Sequence, residues 1–348
     1  MKMLAPLVVC VLGMAALAVR ALFERFEREH GRRYAGPRER RARLAIFMDN
    51  LARINQLNEE DPHAEYGTIK NNIVNNKNSM NSVLHCFAGI TKFTDLSHEE
   101  YIQKLTGYKL NPGKEDILCE NVTAATDIDA PDTFDWREHG VVAKPKDQAN
   151  CGSCWAFAVI ANIEGQYAIK HKKLVTFSEQ QLVSCDKDDF GCEGGALMEM
   201  GGVQTDNDYP YVSGINGTVP ECKMDKTKFK AKVIDCKEFY HENVTEDDIK
   251  RHLYSNGPLT INIDPNALEF YRNGVVTNCQ SRAIVHAVVL VGYGTTDDGI
   301  PYWIVRNHSG PDYGENGYFR MKRGVNCLGY RVPTLPLYIM IYFLALLF

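Results

Sequence analysis

The residues best equipped for chemistry stand together in Gln148-Ala149-Asn150-Cys151-Gly152-Ser153-Cys154-Trp155-Ala156-Phe157. A Gly-Ser turn precedes Cys154 and a helical pattern follows over 155–173, so the thiol is expected where a helix begins, next to the dipole end that favours thiolate. A thiolate is the nucleophile of acyl transfer, and it needs a base nearby to form the ion pair and later protonate a leaving amine. Among ten histidines, His286 heads the apolar run 287–291, where a polar ring must find a partner; a satisfied core histidine is the plain alternative. Asn307 follows the next apolar run, 302–305, and its amide oxygen can accept the imidazole proton that faces away from sulfur, although alone it reads as a turn residue. Cys151 and Cys154 have the spacing of half a zinc site or of a redox pair, but no second cysteine pair with histidine partners follows. No metal or organic cofactor is therefore expected.

These groups must be positioned by a chain of 348 residues, 45% apolar, long enough for one large or two modest cores. Lys and Arg number 39 against 44 Asp and Glu, so the net charge of −5 gives no footprint for nucleic acid. Residues 1–18 have the layout of a secretory signal peptide, with Lys2, an apolar run and small residues at the end; that run is too short for a membrane span. Sequons at Asn121, Asn216, Asn243 and Asn307 and a total of eleven cysteines fit the secretory pathway, with lysosomal or extracellular delivery. Cys10 lies in the signal, Cys86 and Cys119 in the first third, and the eight that remain allow 105 pairings.

Arg and Glu crowd 20–43, and Leu44, Phe47, Leu51, Ile54 and Leu57 then recur at steps of three and four, the pattern of an amphipathic helix with a solvated charged face. The Asn-rich tract 71–81 reads as a surface insertion, and 111–131, rich in Pro, Gly, Asp and Ala, as a linker or processing site. Beyond it a helix comes early and short strands late, which predicts an α+β protein with two differing halves. The apolar end, 335–348, is only fourteen residues, short of the roughly twenty of a span.

Cys154 within Cys-Gly-Ser-Cys-Trp, followed 132 residues later by His286 and 153 residues later by Asn307, resembles the papain-like cysteine peptidases, in flavour cathepsins L and F and the viral cathepsins of baculoviruses. The likeness extends over about residues 24–330 and includes Ser178-Glu179-Gln180-Gln181-Leu182 and 201–211. It implies a papain-like two-domain fold, one half mainly helical and the other barrel-like, with the active site in the cleft between them and a helical propeptide in front. By the same resemblance Cys154 is the nucleophile, His286 the base and acid, Asn307 its orienter, and Gln148 an oxyanion donor beside the Cys154 N–H. It further implies disulfides Cys151–Cys192, Cys185–Cys222 and Cys279–Cys327, leaving Cys236 as a free thiol. Glu39, Arg43, Ile46, Phe47, Asn50, Ile54 and Asn58 match the inhibitory propeptide motif, and Gly89, Phe93 and Asp95 match three of four positions of a second one, with Thr91 where Asn is usual. Acid would weaken ion pairs that hold such a propeptide.

The expected organisation is thus a signal peptide at 1–18, an inhibitory propeptide at 19–125, a peptidase domain at 126–334 and an apolar tail of unassigned role at 335–348. The expected function is cysteine endopeptidase activity through a thiol acyl-enzyme, from an inactive zymogen; expected partners are protein or peptide substrates, the chain's own propeptide and cystatin-type inhibitors, with no nucleic acid, no stable membrane span and a monomeric state. Several positions depart from the family. Only five residues, 196–200, separate two Gly-Gly pairs where relatives carry about a dozen, Ser309 replaces a Trp that shields the His–Asn pair, and Val285 replaces Asn or Asp. Asn262 falls where a small or apolar residue usually lines the main specificity pocket, and 326–330 alters that pocket's floor. These departures keep two alternatives open: a catalytically impaired homologue acting as a binding protein, and a peptide ligase or transferase using the same Cys-His pair.

Overall fold

The computed structural model describes residues 4–67, 90–107, 120–121, 128–195, 201–235, 237–238, 244–281, 283, 285–330 and 345–347. Cys86, Cys119, Cys236, Gly89, Asn243, the Asn-rich tract and the short segment 196–200 lie outside them, as does most of the linker and of the apolar tail. The chain forms two compact units, one of Met1–Tyr101 with Leu268–Arg272, the other of Ile102–Ala267 with Asn273–Phe348.

In the first unit, helix α1 (Leu4–Glu29) precedes α2 (Pro37–Glu60), strand β1 (Ala64–Tyr66) and the start of α3 (His98–Leu105). Pro37 stands in the first turn of α2, where its missing N–H costs nothing. The three-four spacing buries Phe47, Leu51 and Ile54, and Phe23 and Phe26 of α1 each meet Phe47 at 5.2 Å between ring centroids. The charged residues of α2 are more than a solvated face. Arg40 grips both oxygens of Glu27 at 2.7 Å, and Arg43 binds both oxygens of Glu100. Asn50, buried among apolar residues, donates to the carbonyls of Thr94 and Leu96 at 2.9 and 2.8 Å, while Asn58 bonds the Tyr66 backbone in both directions. Asp95 pairs with Arg32 at 3.0 Å and accepts from the Tyr34 hydroxyl at 2.9 Å, and the Thr91 hydroxyl donates to Glu269 O at 3.2 Å. The motif spacing of this helix is therefore the spacing of side chains that hold one loop.

The second unit is built on helix α4 (Cys154–His171), with α5 (Glu179–Cys185) and α6 (Glu246–Asn256). Strands β3 (Phe134–Asp135), β6 (Leu259–Ile263), β7 (Tyr271–Val276), β8 (His286–Thr295), β9 (Pro301–Arg306) and β10 (Tyr318–Lys322) form a sheet of order β7-β10-β9-β8-β3, with β6 also paired to β8. Short pairs join β2 (Glu120–Asn121) to β5 (Lys237–Glu238) and β4 (Lys232–Asp235) to β11 (Ala345–Leu347). Helix α4 is apolar all round because it is buried on two sides. Cys154, Ala158 and Ala161 face Ala287, Val289 and Val291, alternate residues of β8. Trp155, Val159, Ile160 and Ile163 face Phe177, Leu182 and Val203. A paired cluster of charges enters this core: Glu164, fully buried, is matched by Lys146 at 3.2 Å and by buried Arg306 at 3.4 Å, and buried Glu179 is matched by the same Lys146 at 2.8 Å. The three disulfides implied by the family resemblance, Cys151–Cys192, Cys185–Cys222 and Cys279–Cys327, are all present. Among the described residues no helix is long and apolar enough to cross a membrane.

Candidate active site

Cys154 is the first residue of α4, and the loop before it is tightly held. Cys151 is tied to Cys192, Gly152 N donates to Cys192 O at 3.0 Å, and Tyr211 donates its hydroxyl proton to Gln148 O at 2.9 Å while accepting from Ser153 Oγ at 2.8 Å. Ser153 occupies the position before the helix without capping it through its side chain. First-turn N–H groups are thereby left to act on sulfur.

His286 opens β8, placed by the β6–β8 register that pairs it with Ile263. Asn307 follows β9, and its own N–H donates to Gly317 O at 3.0 Å. Asn307 Oδ1 lies 2.8 Å from His286 Nε2 and also accepts from His308 N at 2.9 Å, which fixes the orientation of the amide. Gln148 is pinned by its backbone N–H to His308 O at 2.9 Å and sends Nε2 toward Cys151 O at 3.1 Å and Leu105 O at 3.3 Å. All four residues singled out in the sequence thus meet in the second unit.

What the sequence did not reveal is their occupant. The three residues after Lys104 lie over the thiol: Leu105 O accepts from His286 Nδ1 at 3.0 Å, Gly107 N donates to Cys154 Sγ at 3.2 Å, and Gly107 O accepts from Gly195 N at 2.7 Å. Gly107 must be glycine, because a Cβ there would run into the Gly152 carbonyl. The signal in the sequence was a glycine placed just after a helical segment, ordinary in itself.

This cover alters the electrostatics. Cys154 is fully buried, and desolvation pushes its thiol up to about 11, against the opposing N–H groups of Ala287, Gly107, Trp155 and Cys154 itself. His286 is pushed down by burial, with its bonds to Asn307 and Leu105 working the other way. The helix-favoured thiolate expected from sequence is therefore not the form in this state. Burial outweighs the dipole, and among the described residues no hydrogen bond joins Sγ to the imidazole. The wetter His–Asn pair expected from Ser309 is absent as well. His286 and Asn307 are each 1% exposed, Leu105 covers the ring, and Ser309 Oγ accepts from Asn307 Nδ2 at 3.4 Å. His308 is a further buried ring here, its centroid 6.3 Å from that of His286.

A thiol at a helix start, an imidazole held by an amide and a peptide segment laid across both define a thiol peptidase held in precursor form. Residues 130–336 match the family described as papain family cysteine protease, and residues 23–101 match the cathepsin propeptide inhibitor domain. The chain belongs to the papain family of cysteine proteases and carries an inhibitory propeptide. It is 40% identical over 317 residues to the viral cathepsin of Heliothis zea nuclear polyhedrosis virus, an overlap of 88% of this chain and 82% of that protein. It is 38% identical over 315 residues to the viral cathepsin of Antheraea pernyi nuclear polyhedrosis virus, covering 88% of each. Among solved structures, the digestive procathepsin L2 proteinase from Tenebrio molitor larval midgut aligns with a TM-score of 0.75 at 25% identity, over 90% of this chain and 97% of that one. The recombinant stem bromelain precursor aligns at 0.73 with 29% identity, over 93% and 97%.

Proposed function

We propose that Cys154 is the nucleophile of this cysteine protease, His286 its general base and acid, Asn307 the group that orients the imidazole, and Gln148 a donor to the developing oxyanion. The observation that carries this is the position of Leu105 O, a peptide carbonyl lying between Gln148 Nε2 and His286 Nδ1. With the cover withdrawn, water and substrate reach the site, the proton that Nδ1 gave to Leu105 O passes to solvent while Nε2 keeps its own on Asn307 Oδ1, and the bared Nδ1 takes the Cys154 proton as sulfur attacks the scissile carbonyl. The tetrahedral oxyanion is met by Gln148 Nε2 and the Cys154 N–H. His286 then protonates the leaving amine, and water hydrolyses the acyl-enzyme with His286 again as base. Asn307 Oδ1 keeps Nε2 engaged throughout, so Nδ1 faces sulfur. Nothing in this arrangement favours the transferase or binding-protein alternatives.

The propeptide, taken as 19–125, is the intramolecular inhibitor and the peptidase domain spans 126–334. Synthesis through the secretory pathway, as a monomer delivered to a lysosome or outside the cell and open to cystatin-type inhibitors, fits residues 1–18 and the exposed Asn216 sequon. Asn307, buried and bonded to His286, is closed to glycosylation once the domain has folded. The test is labelling with a vinyl-sulfone or epoxide probe after removal of the propeptide. Wild type should label and Cys154→Ala should not, and a folded, matured wild type that takes no label would sink the assignment.

A further inference from the structure

Beside the catalytic set stands an ionisable group with no task in the mechanism. His308 is fully buried, and neither of its ring nitrogens finds a hydrogen-bond partner among the described residues. A buried polar group without a partner calls for an explanation, since an apolar ring would fill the same site without the cost.

Its position supplies one. The ring centroid lies 5.6 Å from that of Phe157 in α4 and 6.3 Å from that of His286 at the head of β8. The His308 backbone joins the other two members of the site: its N–H donates to Asn307 Oδ1 at 2.9 Å, and its carbonyl accepts from Gln148 N at 2.9 Å. A ring that leaves its place therefore disturbs the orienting amide and the oxyanion donor together. The surroundings oppose a proton on it. Burial holds the ring well below its ordinary value of 6.5, and Arg306 of β9, His286 of β8 and Lys146 push the same way. The backbone of Ala287 favours the charged form but makes no hydrogen bond to the ring. Neighbouring carboxylates are engaged elsewhere: Glu164 pairs with Lys146 and Arg306, Glu179 pairs with Lys146, and Asp147 Oδ1 accepts from Ala149 N.

We infer that His308 is a positioning residue whose neutral ring backs the catalytic imidazole, and that its protonation sets the acid limit of this protease. The inference rests on the roles assigned to His286, Asn307 and Gln148. Displaced from its site, the ring takes a proton near pH 6.5; in place, it takes one only well below that. Above pH 6.5 the ring favours neither state. Below it, each pH unit favours displacement about tenfold more, until the lowered value is reached.

The experiment has two arms. The first follows kcat/KM against pH for matured enzyme counted by titration with the irreversible probe. His308→Phe keeps an aromatic ring and removes the titration, so its acid limb should lie about one pH unit below that of wild type. His308→Ala, which empties the space, should lower kcat more than it raises KM, and Phe at the same position should restore kcat. The second arm needs no activity: in the full chain with Cys154→Ala, urea unfolding compares His308 with His308→Phe. The ratio of their unfolding constants should climb about tenfold for each pH unit below 6.5 and stay flat above it. His308→Leu, which is smaller, serves both arms if phenylalanine overfills the site. Superimposable acid limbs overturn the inference whatever the second arm shows, and so does a pH-independent unfolding ratio. Failure of wild type to titrate with the probe removes the peptidase assignment itself, and this inference with it.

Discussion

Gly107→Ala should unlock the active site without touching any group assigned to chemistry. A methyl at Gly107 collides with the backbone of Gly152, which cannot yield because Gly152 N is bonded to Cys192 O and the loop is closed by the Cys151–Cys192 disulfide. The segment has to lift instead, and the first bonds lost are Gly107 N to Cys154 Sγ at 3.2 Å and Gly195 N to Gly107 O at 2.7 Å. At about 1 kcal/mol net for each hydrogen bond, the covered state loses about 2 kcal/mol relative to the open one. That is about a thirtyfold rise in the open fraction. The assay is the rate at which the intact proform takes up a vinyl-sulfone probe at neutral pH, followed as the mass increment on Cys154. Wild-type proform should label slowly and Gly107→Ala about thirty times faster, with Lys104→Ala changing the rate little because its bond to Asn150 is at the exposed rim. Equal rates for Gly107→Ala and wild type would refute the view that this segment is the lock.

Two further outcomes follow from titration. Since burial holds the Cys154 thiol at about 11, alkylation of the proform by iodoacetamide should climb steeply with pH throughout the alkaline range, while the matured enzyme should react at neutral and mildly acid pH; superimposable profiles would remove burial as the cause. Glu100 is held below the usual carboxylate range first of all by its hydrogen bonds from Arg43, so its contribution is present above roughly pH 4.3 and fades as pH falls through the lowered value. Glu100 is 35% exposed, and solvent screening limits that contribution to about 1 kcal/mol. Glu100→Gln, in a Cys154→Ala background, should lower the urea-unfolding stability by that amount at pH 7 and converge on the parent in strong acid, and a pH-independent difference would count against the ion pair.

The sequence was most legible where periodicity and chemistry coincide. The three-four spacing of Phe47, Leu51 and Ile54 is a helix because no other element buries that set together, and the continuous apolar, partly β-branched run 287–291 is a strand buried on both faces. Gln148, Cys154, His286 and Asn307 were legible through their joint spacing, and they do converge. The ionisation state was not. It depends on the water excluded by Leu105–Gly107, and no residue type in that segment announces where its backbone will lie. The charge run over 20–43 is largely solvated as read, but its ion pairs were not legible, because Glu27 and Glu100 stand 13 and 57 residues from Arg40 and Arg43, beyond any helical periodicity. Ser309 was read as a loss of shielding, and in this covered state it is the segment 105–107 that closes the pair.

A peptide laid over a reactive thiol invites the question of why it is not cut. Attack needs one carbonyl to do two things: present its carbon to Sγ and its oxygen to the oxyanion donors. Here the two roles fall on different residues. The carbonyl that meets Gln148 belongs to Leu105, whereas the group nearest Sγ is the N–H of Gly107, two residues on. The carbonyl between them, Thr106 O, lies against Gly152, and the Gln148 amide bonds Lys104 O, Leu105 O and Cys151 O instead. Attack on Thr106 would build its oxyanion without the Gln148 donor, and attack on Leu105 would require displacing the Gly107 N–H from sulfur. The imidazole is also turned to the wrong task, since its Nδ1 serves Leu105 O and cannot take the thiol proton. Burial disfavours the charged forms of both groups and misregister keeps the peptide intact, so both barriers disappear in one event, the departure of residues 105–107.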